Sequence, residues 1–151
     1  MKTLIVGLGS LNGNDKVGWT LIDILENDNL NDALKSDFTF FKSKSDGSDW
    51  YHKIENHQQI IFVDALLSSQ PAGSVVDVKI EDLNKNEFQF KGSSHCVSLK
   101  DSITMAKNLA LLDIPVRIFG ITVSEDETIK VPLNSIKTQL KKIISEPQPI
   151  N

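Results

Sequence analysis

The 151-residue chain has a single cysteine, Cys96, so no disulfide forms within it, and such sparse cysteine suits a reducing compartment. No apolar run approaches the roughly 18 residues that a membrane-spanning helix needs. The N-terminus has one lysine and about six apolar residues broken by glycine, short of a secretory signal. Positive charge is not in excess either: 16 Lys and Arg against 20 Asp and Glu leave a net charge of -4, which argues against non-specific nucleic-acid binding. These absences predict a cytoplasmic protein with neither a membrane nor a nucleic-acid partner.

What is present is ordinary for a globular protein, 40% hydrophobic and 24% charged. That is enough for one core, so a single domain is expected over residues 1–145, with "EPQPIN" (146–151) as a flexible tail. "TLIVGLG" (3–9), "FTFFKSK" (38–44), the run 60–63, "SVVDVKI" (74–80) and "IPVRIFGITV" (114–123) read as strands. Residues 15–27, 97–112 and 131–145 read as helices; in the second, Leu99, Ile103, Ala106, Leu109 and Ala110 fall on one side. Strands separated by helices predict a three-layer α/β/α sandwich around a mostly parallel sheet of about five strands. Ligands gather at the carboxyl ends of such strands.

Three polar residues fall on that edge. Asp15 opens the first helix, Asp64 ends the 60–63 strand, and His95 precedes the second helix. Taken singly, Asp15 reads as an N-cap and His95 as a capping or surface residue. Asp64 has less of a bland explanation, because a core strand gains nothing from a carboxylate. Together, two carboxylates and an imidazole make a plausible site for a divalent metal such as zinc or nickel. The acid in the first glycine turn matters here. A helix N-terminus attracts anions, but one already occupied by Asp15 repels a pyrophosphate and offers an oxygen to a cation.

Three segments, "VGLGSLNGNDKVGW", "IIFVDALLSSQPAGSVVDV" and "SSHCVSLKDSITMAKNLALLDIPVRIFGI", carry a resemblance to the nickel–iron hydrogenase maturation endopeptidases. It extends in order over about residues 1–121. The resemblance implies that Asp15, Asp64 and His95 are the catalytic and metal-contacting residues. It implies a protease that removes the C-terminal extension of a hydrogenase large-subunit precursor after nickel insertion. The nickel would arrive with the substrate, zinc or cadmium could take the same place, and a monomer is expected. The family's acidic loop after the second strand corresponds to "SKSDGSDWYHKI", where Asp46 or Asp49 takes the acidic role.

The chain departs from the family pattern in that loop, at Ser10, at Asn14, at Lys16 and at Ala72, inserted between Pro71 and Gly73. A relative that keeps the site but acts as a metal-dependent binding or assembly protein is therefore the main alternative. A dinucleotide-binding domain rests only on Gly7, Gly9 and Gly13, without the acid expected after the second strand. A peptidyl-tRNA hydrolase-like protein rests only on "LIVGLG". Cys96 reads as a structural thiol, His52 and His57 as solvated, Trp19 as core, and Trp50 with Tyr51 as an exposed partner anchor.

Overall fold

A computed structural model of the protein describes residues 2–9, 17–27, 37–44, 48–67, 71–83, 89–90, 99–124 and 132–145. The strands are β1 (Thr3–Leu8), β2 (Phe38–Ser43), β3 (Gln59–Leu67), β4 (Val75–Val78), β5 (Gln89–Phe90) and β6 (Val116–Val123). The helices are α1 (Val17–Asn27), α2 (Leu99–Asn108) and α3 (Leu133–Ser145). Five strands form a central sheet in the order β2-β1-β3-β6-β4. β1, β2, β3 and β6 run parallel, while β4 lies antiparallel at one edge. The expected mixed α/β fold is the one observed. Two-residue β5, too short to leave a periodic signal, adds itself antiparallel to Leu66 and Leu67.

A central parallel strand is buried on both faces, which is why β1 and β3 read as nearly unbroken apolar runs. Successive side chains alternate between two layers. Leu4, Val6, Phe62 and Leu66 meet Trp50 and the α2 residues Ile103 and Ala106 on one face. Ile5, Ile61 and Val63 meet Leu21 and Ile22 of α1 and Ile136 of α3 on the other. Each such fully buried side chain contributes about 1.5–3 kcal/mol relative to exposure.

The helices reach the sheet by different means. α1 comes in close because glycines face each other across the contact. A methyl group on Gly7 would lie 2.6 Å from the Gly18 carbonyl oxygen, and one on Gly18 would lie 2.8 Å from that of Val63 and collide with that of Leu8. Gly7 is thus a packing residue inside β1, which removes it from a phosphate-binding turn. α2 contains no glycine and packs through Leu99, Ile103 and Ala106.

α2 also stops earlier than its periodicity predicts. It ends at Asn108; Leu109 is exposed, and Ala110 lies beyond the helix with φ +58°. The Leu111 N–H donates to the Ala106 carbonyl and the Ala110 N–H to that of Lys107, a Schellman closure built on alanine where glycine is usual. Relief of this left-handed strain sets an expected result: Ala110→Gly stabilises the protein by about 0.5–1 kcal/mol, read as a rise of roughly 2–3 °C in melting temperature. A fall would show that residue 110 is not held in that conformation.

The turn before β4 is held just as definitely. The Thr122 hydroxyl donates to the Pro71 carbonyl at 2.6 Å and accepts from the Ser74 N–H at 2.8 Å. Gly73 has φ +96°, and a side chain there would press on the Pro132 ring. The Pro-Ala-Gly sequence, with its extra alanine, therefore forms a defined turn strapped to β6. Among the described residues no helix is long and apolar enough to cross a membrane.

Candidate active site

The sheet order creates one switch point. From β1 the chain crosses to β2 on one side, whereas after β3 it continues on the other side, to β4 and then β6. Open α/β sheets hold ligands at such a point, outside the carboxyl ends of the strands, here those of β1 and β3. The β1–β3 ladder ends with Gly7 opposite Val63. The next residue of β3 is Asp64.

Asp64 does not end its strand, as the sequence suggested. β3 continues to Leu67 because β6 keeps pairing with it, from Asp64 opposite Gly120 to Leu67 opposite Val123. Only on the β1 side has the ladder stopped. Asp64 is thus interior with respect to β6 and terminal with respect to β1. It has no exposed surface and lies on the same face of β3 as Phe62 and Leu66, the face that carries α2. Gly120 puts no side chain beside it, and Leu66 covers that position. Burying a carboxylate among such neighbours is costly, which makes Asp64 a candidate for the site.

Asp15, His95, Asp46 and Cys96 lie outside the described residues. The described ends frame two of them. α1 begins two residues after Asp15 and α2 four residues after His95, and both helices start at the carboxyl edge and run back toward the amino ends of the strands. Among the described residues, no group of three or more His, Cys, Asp or Glu gathers to hold a metal.

The loop after β2 is organised by Asp49. Its carboxylate accepts from the Ser43 hydroxyl at 2.5 Å and from the Lys44 N–H at 2.7 Å, while the Ser43 carbonyl accepts from Trp19 Nε1 at 2.9 Å. Asp49 therefore closes the loop, and Trp19 ties α1 to the end of β2. Trp50 is no surface anchor. It is fully buried, edge-on to Phe62 at 4.9 Å and to Tyr51 at 4.6 Å. Tyr51 is half-buried, and its hydroxyl donates to the Ser102 carbonyl in α2 at 2.6 Å. Burial pushes its pKa above the usual 10, so this donor stays protonated throughout the neutral range. Stability from that burial is fully present below pH 10 and is lost only as pH rises through the elevated value. Exposed His52 stands edge-on to Phe41, and partly buried His57 contacts Thr39 Oγ1 at 2.9 Å.

With this geometry in place, the relatives are informative. The hydrogenase maturation protease family model matches residues 29–147, a span that takes in Asp64 and His95 but not Asp15. The chain belongs to the hydrogenase maturation protease family, whose members are peptide hydrolases. Solved structures of the family share the fold. The NiFe hydrogenase maturation protease HybD of Thermococcus kodakarensis is 21% identical, with 96% of this chain and 100% of that chain covered at a TM-score of 0.63. The hydrogenase maturating endopeptidase HybD of E. coli is 17% identical over 95% and 92% of the two chains, with a TM-score of 0.65. The endopeptidase HycI of Escherichia coli is 16% identical over 95% and 89%, with a TM-score of 0.66. No curated protein matches the chain by sequence.

Proposed function

We propose that this family member removes the C-terminal extension of a nickel–iron hydrogenase large-subunit precursor after nickel insertion. One observation carries the reading: a fully buried carboxylate, Asp64, one step beyond the last β1–β3 pair, in a hydrogenase maturation protease fold. Chain order supports it, since Asp15 lies two residues before α1 and His95 four residues before α2.

Two carboxylates and an imidazole form a mixed oxygen and nitrogen donor set suited to nickel, zinc or cadmium. The nickel belongs to the substrate. Asp15, Asp64 and His95 take hold of it there and so bring the adjoining peptide close, turning recognition of the loaded precursor into proximity at the scissile bond. On this reading the enzyme acts in the cytoplasm, as a monomer on one partner. Incubation with nickel-loaded precursor should yield a shortened large subunit, whereas nickel-free precursor should stay intact. Equal cutting of both would overturn the recognition step.

A second reading is favoured by the Asp49 contacts, because that carboxylate is engaged in closing its own loop. A non-proteolytic relative would bind the loaded precursor and leave its length unchanged.

A further inference from the structure

Ser43, Leu8 and Asp64 form a row across three neighbouring strands at the carboxyl edge of the sheet. Leu8 pairs with Ser43 of β2, and Gly7 pairs with Val63 of β3, so Asp64 stands level with Leu8 from the other side. Side chains at one level of a parallel sheet share a face. Leu8 packs in the layer that carries α2, as do Phe41 and Phe62, which lie two residues before Ser43 and Asp64. Two strand spacings put the Ser43 and Asp64 main chains about 10 Å apart. Asp49 is therefore a second carboxylate at this edge, bonded to Ser43 Oγ on the face that Asp64 also occupies. Ser43 is fully buried, and Trp19 in the first turn of α1 holds its carbonyl. Directly after Asp49 the chain turns inward with Trp50, against Phe62. Lys44 and Asp49 are thus held together beside the end of β1, the strand that separates them from Asp64.

We propose that Asp49 is a positioning residue for precursor binding. By tying Lys44 to Ser43 it keeps the chain after β2 in one place at the edge where the precursor meets Asp64. Its contribution is geometric, not that of a negative charge offered to the precursor or its nickel. A segment already in place has no freedom left to lose when the partner docks, whereas a released one has to be ordered at that moment and weakens binding. The inference rests on the functional reading above, and it gives a role to the "SKSDGSDWYHKI" loop, which departs from the family pattern.

Asp49→Asn and Asp49→Ala separate geometry from charge. Asparagine can keep both contacts: its amide oxygen accepts from the Lys44 N–H and its amide nitrogen donates to Ser43 Oγ. The Ser43 hydroxyl meanwhile still donates to the Lys44 carbonyl, as it does at 3.1 Å in the wild type. Alanine keeps neither contact. Affinity for nickel-loaded precursor, read by surface plasmon resonance, should fall roughly tenfold in Asp49→Ala and stay within about twofold of wild type in Asp49→Asn. In the processing assay the same loss should appear in KM, with kcat within about twofold. Ser43→Ala removes one of the two contacts from the other side and should raise KM roughly threefold, which keeps the test open if Asp49→Ala does not fold. Asparagine as damaging as alanine would overturn the proposal, because charge would then be what matters. Wild-type affinity in Asp49→Ala, or a loss confined to kcat, would overturn it too. Precursor that binds the wild-type protein yet keeps its full length refutes the protease reading alone, and the variant affinities still decide the role of Asp49. Precursor that does not bind at all ends both.

Discussion

Gly18→Ala should lower the melting temperature by about 10 °C and abolish processing. The added methyl group meets main-chain carbonyls of both β1 and β3, Leu8 on one side and Val63 at 2.8 Å on the other. Neither can rotate away as a side chain would, so α1 has to lift from the sheet. Overpacking typically costs about 1–3 kcal/mol, and two rigid neighbours put this case at the upper end. At roughly 2–4 °C per kcal/mol for a chain of this size, the shift is easily seen in a thermal unfolding scan. Gly120→Ala is the natural control. Its neighbour is the Leu66 side chain, whose end 2.7 Å away has rotamer freedom, so a smaller loss is expected. A Gly18→Ala protein melting within a degree or two of wild type would mean that α1 does not sit where described, and that the approach to Asp15 is different.

Asp64→Asn should behave in the opposite way, with processing reduced at least about a hundredfold while the fold holds. Substitutions outside a metal's immediate ligands already cost roughly 10–100-fold, and the proposed role of Asp64 as a ligand sets its expected loss above that. Asparagine keeps the volume of aspartate, so Phe62 and Leu66 need not repack. With the side-chain shape retained, the melting temperature should stay within about 4 °C of wild type. Rate from precursor shortening and stability from calorimetry, on the same preparation, separate the possibilities. Wild-type processing by the variant would exclude Asp64 from the site; an unfolded variant would make it a structural carboxylate.

The sequence exposed the fold wherever burial left a period. β1, β3 and β6 are apolar runs because each is covered on both faces, and α1 shows helical spacing because it is covered on one. Asp64 was legible for the same reason, as a charge interrupting such a run. Its relation to the strand was not, because an interruption looks like an end unless the partner strand is known, and here β6 carries the ladder past it. Trp50 misled because its neighbours are polar: among the described residues 48–53 it alone turns fully inward, and a single buried side chain has no period. The end of α2 was hidden because Ala110 closes it in a conformation that glycine would have announced. Asp15, His95 and Asp46 rest on the family resemblance and on chain order, outside the described residues.

The unequal seating of the two helices bears on how this protein can diverge or be redesigned. On the Gly7–Gly18 flank main chain abuts main chain, so a side chain added at either glycine pushes α1 outward and that approach leaves little room for change. On the α2 side the described contacts with the sheet are made through replaceable side chains, with Tyr51 reaching the Ser102 carbonyl. Selection for a different precursor is therefore best aimed at Trp50, Tyr51, Leu99 and Ile103, where a new residue can move a helix without dismantling the sheet.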